Sequence, residues 1–272
     1  MRKQDLEGHA GLVTGASSGI GAAIAREIVM RGGGVVMLAR RVDRLESLAA
    51  ELGERALAVQ GDVTVDGDVS RAIAAGRGRF GAIDLVFANA GFGVAGAVAS
   101  LRLEDYRRQF ETNVFGAVRT VQEAMPELEA SRGRIGLVGS VNGYVSIPGW
   151  SAYCMSKHAL RSLSECLRLE LVPRGISVTH LAPGFVESEF RRVDNHAKLH
   201  DQARDPMPGW LVESAPRAAR AMVDAVLARR AEAVITAHGK LVVGVQRHAP
   251  KVVSTALRLG AGVAERLSKR PG

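Results

Sequence analysis

The sequence predicts an α/β fold: a single doubly wound parallel sheet of about seven strands, with helices on both faces. Short β-branched runs recur along almost the whole chain, and helix-length amphipathic segments separate them. The runs are apolar throughout and do not alternate, as expected of strands covered on both faces. Right-handed crossovers between such units wind the sheet both ways. The 272 residues suffice for one domain with a sizeable core.

In order, AGLVT (10–14) is the first strand, and it runs through TGASSGIG (14–21) into a helix over 19–31. GVVML (34–38) precedes a helix over 43–52, and ALAVQ (56–60) one over 65–79. IDLVFA (83–88) leads to a long helix over 104–130, and RIGLVGS (134–140) to a helix over 151–172. ISVTHLA (176–182) is followed by an unusually long loop at 185–212, a helix over 214–230 and the strand AVIT (233–236). A long loop at the carboxyl edge of such a sheet is a candidate substrate lid. We expect a catalytic domain over 1–239 and a basic amphipathic extension over 240–272.

Charge supports that division. The extension holds seven Lys/Arg and one acid, Glu265, so it carries +6 of the formal +8. The basicity belongs to an appendage and gives no reason to expect a nucleic-acid partner. No apolar run reaches the length of a membrane span, and the charged start MRKQDLEGHAG lacks a signal-peptide stretch, so a cytoplasmic protein is expected. Cys154 and Cys166 on one helix would lie about 18 Å apart, too far for a disulfide, and read as buried or half-buried thiols.

Three stretches carry chemistry. Gly15, Gly19 and Gly21 stand between a strand and a helix, where glycine permits a tight turn and close approach to a pyrophosphate, and the helix start offers free N–H groups. A plain turn is the competing reading. After the second strand, where an acid would bind a ribose 2′-hydroxyl, the chain has Arg40 and Arg41, whose guanidiniums suit a 2′-phosphate. NADP(H) is therefore expected over NAD(H). In SAYCMSKHAL, Tyr153 and Lys157 are four residues apart and share a helix face. A phenol titrates near 10 unperturbed, and an adjacent ammonium favours its anion, which suits a proton donor and acceptor.

Together these motifs resemble the short-chain dehydrogenase/reductase family over residues 8 to 239. TGASSGIG is similar to its cofactor loop, which implies contacts from Gly15, Ser17, Ser18, Gly19, Ile20 and Gly21. GDVT (61–64) resembles its adenine-contacting turn, with Asp62 and Val63 at the contact positions. ANAG (88–91) resembles its Asn-Asn-Ala-Gly motif with Ala88 replacing the first Asn, leaving Asn89, Ala90 and Gly91. PGFVES (183–188) is similar to the segment near the nicotinamide, implying Pro183, Gly184, Val186 and Ser188. The resemblance implies a Rossmann-like fold and a catalytic set of Asn113, Ser140, Tyr153 and Lys157. Ser140 would hydrogen-bond the substrate oxygen, Lys157 would also hold the nicotinamide ribose, and Asn113 would bend its helix and hold a relay water. It further implies a homodimer or homotetramer built on the two long helices after strands four and five.

The expected function is NADPH-dependent reduction of a carbonyl, or the reverse oxidation of an alcohol. The competing classes are a non-catalytic dinucleotide-binding regulator or scaffold, and a lipid-surface protein working through its tail. Retention of both Tyr153 and Lys157 favours the enzyme. Phe185, Phe190, Met207, Trp210, Val141, Tyr144 and Phe92 are candidate apolar substrate contacts, with local packing as the alternative. His196 and His200 lack the glutamate and cysteines of a zinc site, and no metal is expected. The tail reads as a helix packed on this subunit or its partner, with a helix lying on a membrane surface and a frayed end as the competing readings.

Overall fold

The computed structural model describes residues 6–192, 195 and 207–268, with the side chains of 191, 192 and 260–268 left aside. The lid is thus described only at 185–192, 195 and 207–212, and His196 and His200 lie outside the described residues. The strands are β1 Ala10–Thr14, β2 Gly34–Ala39, β3 Ala56–Gln60, β4 Leu85–Ala88, β5 Arg134–Val138, β6 Ser177–Ala182 and β7 Glu232–Val234. The helices are α1 Gly19–Met30, α2 Val42–Leu52, α3 Asp68–Phe80, α4 Leu103–Phe110, α5 Gly116–Ser131, α6 Ser151–Leu171, α7 Ala215–Leu227, α8 Ala237–His248 and α9 Pro250–Ser268.

The seven strands form one sheet in the order β3-β2-β1-β4-β5-β6-β7, and every pair is parallel. Successive side chains of a strand point to opposite faces. Hence Val13 joins a core with Ile24, Ile28, Met222 and Val226 of α1 and α7, while Leu12 joins one with Ile73, Val121, Leu128 and Leu160 of α3, α5 and α6. Both faces are covered by helices, which is why the strands other than β6 are largely apolar and do not alternate. Strand order reverses at β1, so a crevice opens between the carboxyl ends of β1 and β4, the position where such sheets bind ligands.

α8 spans residue 239, and its buried Val243 packs with Tyr144, Val145 and Ala182. Two expectations need correction. The helix expected over 104–130 is interrupted by a π-helical turn, Glu111–Phe115, between α4 and α5. Both cysteines are free on α6, but Cys166 is exposed and only Cys154 is buried.

Candidate active site

The glycine loop leaves β1 at Thr14, whose hydroxyl accepts the backbone N–H groups of Asn89 (3.0 Å) and Ala90 (3.1 Å) at the end of β4. The Asn89 side-chain amide donates back to the Thr14 carbonyl (2.9 Å). The loop and the ANAG segment are thereby locked face to face. Gly15 and Gly19 have φ of +67° and +53°, which side chains disfavour. A Cβ on Gly15 would come within 2.8 Å of the Ala90 backbone, and one on Gly21 within 2.4 Å of the Gly15 carbonyl. Gly91 lies against the Asn113 amide. Ile20 turns inward onto the core under α1.

Arg41 is tied to this loop. It donates to the Ser17 hydroxyl (3.0 and 3.2 Å) and the Ser18 hydroxyl (2.8 Å), and pairs with Glu189 of the lid at 2.9 Å. Arg44 approaches the same carboxylate at 3.5 Å. Burial would raise the Glu189 pKa, yet Arg41 first and then Ser18 and Arg44 hold it below the usual carboxylate range. Arg40 is 62% exposed, and its one ionic contact among the described residues is a 3.9 Å approach to Asp62. Asp62 caps its own turn by accepting from Thr64, and Val63 is buried against Gly116. Arg41, the Ser17 and Ser18 hydroxyls and the start of α1 converge here on the Glu189 carboxylate, which a phosphate group of a ligand would have to replace on Arg41.

The second half of the site stands on β5, α6 and the π-turn. Ser140 follows β5 and accepts from the Asn142 N–H (3.1 Å), which fixes its hydroxyl. Tyr153 and Lys157 lie one turn apart on α6, with the ammonium 5.6 Å from the phenol ring centroid. Lys157 is buried, donates to the Val138 carbonyl (2.9 Å), and has its pKa lowered by desolvation to about 8. Asn113 sits in the π-turn with its side-chain amide shared between the Phe92 carbonyl (3.1 Å) and Ser156 (3.2 Å) while its oxygen accepts the Phe92 N–H. A π-turn carries one extra residue, and such turns recur at functional sites.

The segment after β6 closes the far side. The Pro183 carbonyl accepts the Val141 N–H (2.9 Å), Gly184 lies against His238 and Thr236, and Val186 is buried. A Cβ on Gly19 would meet Ser188 at 2.9 Å, so this segment covers the glycine loop. Of the expected apolar contacts, Phe190 meets the site, at 5.2 Å from the Tyr153 ring. Trp150, which no motif singles out, stacks on Phe190 at 19°. Both rings close over Gly93, where a Cβ would clash at 2.6 Å. Phe92 is buried beside them with Val94 and Ala152.

The other candidates point elsewhere. Phe185 stacks on His238, Val141 packs with Val234 and Val243, and Trp210 is 84% exposed. Tyr144 donates to Glu232 (2.5 Å) and is covered by Arg161 and Arg247, so it faces the α8 side. Met207 is half-buried. His180 on β6 is a further buried polar group: desolvation lowers its pKa to about 4, and among the described residues neither ring nitrogen has a hydrogen-bond partner. It fills the space that a Cβ on Gly139, beside Ser140, would need. Among the described residues no cluster could hold a metal ion.

The fold and this site define a Rossmann-like α/β oxidoreductase scaffold. A family model described as short chain dehydrogenase matches residues 10–199, and the chain belongs to that family. Oxidoreductase asL5 of Sarocladium schorii is 35% identical over 190 residues, 70% of this chain and 76% of that one. The serine 3-dehydrogenase of Agrobacterium fabrum is 36% identical over 183 residues, 67% of this chain and 74% of that one. Among solved structures, a 3-ketoacyl-(acyl-carrier-protein) reductase from Brucella melitensis complexed with NADH has a TM-score of 0.75 at 27% identity, covering 85% of this chain and 97% of its own. A short chain dehydrogenase/reductase from Burkholderia phymatum in complex with NAD shares the fold at a TM-score of 0.80 and 23% identity, covering 92% and 96%.

Proposed function

We propose that the protein is an NADPH-dependent carbonyl reductase, able to run in reverse as an alcohol dehydrogenase, with Tyr153 as the proton donor and acceptor. The observation that carries this reading is the pairing of Tyr153 with a buried Lys157 one helical turn away. In this reading Gly15, Ser17, Ser18, Gly19, Ile20 and Gly21 hold the pyrophosphate side of the dinucleotide. Arg40 and Arg41 hold its 2′-phosphate, Asp62 and Val63 its adenine, and Asn89, Ala90 and Gly91 its middle. Pro183, Gly184, Val186 and Ser188 border the nicotinamide. When bound, that cofactor supplies the hydride.

Ser140, held by the Asn142 N–H, turns its hydroxyl to the substrate oxygen and strengthens its bond there as negative charge develops. Tyr153 gives its proton to that oxygen during reduction and takes one during oxidation. The Lys157 ammonium favours the phenolate left behind and binds the nicotinamide ribose. Asn113, anchored to Phe92 and Ser156, holds a water that links Lys157 to solvent. Phe190 and Trp150 exclude water from the hydride path and give the substrate an apolar wall.

The test is NADPH oxidation by the purified protein against a broad panel of ketones and aldehydes, with Tyr153→Phe alongside. We expect the substitution to lower kcat by at least about a hundredfold and leave NADPH binding within twofold or so, about 0.4 kcal/mol. Activity surviving in Tyr153→Phe would refute the assigned proton donor. Tight NADPH binding with no turnover anywhere on the panel would favour the regulator reading.

A further inference from the structure

The last helix, α9, has two apolar stripes, and only one of them is used. Val253 and Leu257 are half-buried and pack onto the cluster of Tyr144, Val145, Ala182 and Val243. Val252, Ala256 and Leu259, at i, i+4 and i+7, form a second stripe on the adjoining face, and all three are exposed. Val252, in the first turn of the helix, is 59% accessible and Leu259, in its middle, 67%. Lys251 and Arg258 precede Val252 and Leu259 by one position, about 100° around the helix, so cations flank the stripe along one edge. One heptad beyond Arg258 the sequence has Glu265, so the edge consists of these two cations. From 237 to 272 the chain has one acid, Glu265.

From this arrangement we infer that α9 docks on the surface of an anionic phospholipid bilayer. The apolar stripe enters the boundary between headgroups and acyl chains, and the flanking cations pair with lipid phosphates. Among the described residues no helix is long and apolar enough to cross a membrane, so contact is at the surface only. A surface that only repelled partners would need the charge but not the stripe, and a protein interface would need the stripe but not the excess of cations over acids beside it. A groove of about 570 Å³ runs between α6 and α9, lined by Ile147, Pro148, Met155 and Leu257 together with the polar Ser151, His158 and Arg258.

The experiment is sedimentation of the full chain with vesicles of phosphatidylglycerol and phosphatidylcholine, and with phosphatidylcholine alone, at low and high salt. We expect partition onto the mixed vesicles, little onto the neutral ones, and release by salt. Lys251→Glu and Arg258→Glu should each weaken the partition at least about fivefold, and Leu259→Asp about tenfold. Thermal unfolding verifies that each variant is folded. Should Leu259→Asp fail to fold, the two charge reversals on exposed side chains decide. No partition onto mixed vesicles, equal partition onto both kinds, or variants indistinguishable from the wild type would overturn the proposal. So would a lipid-free assembly that Leu259→Asp dissociates, because the stripe would then be covered by a second copy.

Discussion

Burial lowers the Lys157 pKa from 10.5 to about 8, so the folded protein sheds this proton where the unfolded chain still holds it. Keeping the ammonium buried therefore costs stability at every pH below about 8, by about 3 kcal/mol. Between the two values the unfolded state binds more protons, and stability rises with pH. Lys157→Met removes the charge but leaves the Val138 carbonyl without its donor, a loss of about 1 kcal/mol. We expect this variant to be inactive and to unfold several degrees higher at neutral pH, with the gain shrinking above pH 8; calorimetry across pH checks both. An unchanged or lower Tm would mean the lysine is not held against a desolvation cost. At this scale the sequence was informative where spacing alone sets geometry, as for Tyr153 and Lys157. It was silent on Trp150 meeting Phe190, because that contact joins residues 40 positions apart through the return of the lid. His180 did leave a trace, a single imidazole in the otherwise apolar end of ISVTHLA.

The cofactor edge is an assembly of elements: the start of α1, the turn from β2 into α2, and the first residues after β6. Arg41 is where they converge, through Ser17, Ser18 and Glu189. Arg41→Ala should raise the KM for NADPH by about tenfold or more, the scale of one charge-assisted contact, and change that for NADH much less. A ratio that does not move would place the 2′-phosphate elsewhere, with the exposed Arg40 next to test. The same tie to Glu189 couples the cofactor edge to the lid, a link between residues 148 positions apart that no local pattern announces. Most elements were readable from apolar runs and glycine punctuation. The π-turn was not, since ETNVF contains neither glycine nor proline, and only a buried Asn113 in an apolar register hints at it. The tail helices were readable as an amphipathic pattern, but not the docking of Val243, Val253 and Leu257.

For the whole molecule, the exposed apolar residues outside α9 are spread over several elements, and they include Phe115 at the end of the π-turn before α5 and Leu169 on α6. We propose that α5 and α6 pair with those of a second copy. Equilibrium sedimentation should show a dimer or tetramer, shifted toward monomer by Leu169→Asp, whose exposed position spares the fold. A wild-type monomer at all concentrations would rule this assembly out. The strand order has a consequence for synthesis. Starting from β1, the sheet gains β2 and then β3 on one edge, and afterwards β4, β5, β6 and β7 on the other, each in the order in which the ribosome delivers it. No strand has to be inserted between two already paired, so the emerging chain can extend its sheet at an open edge throughout translation. The glycine loop is therefore framed early, while α6, with the tyrosine and lysine, arrives only after five strands have left the tunnel.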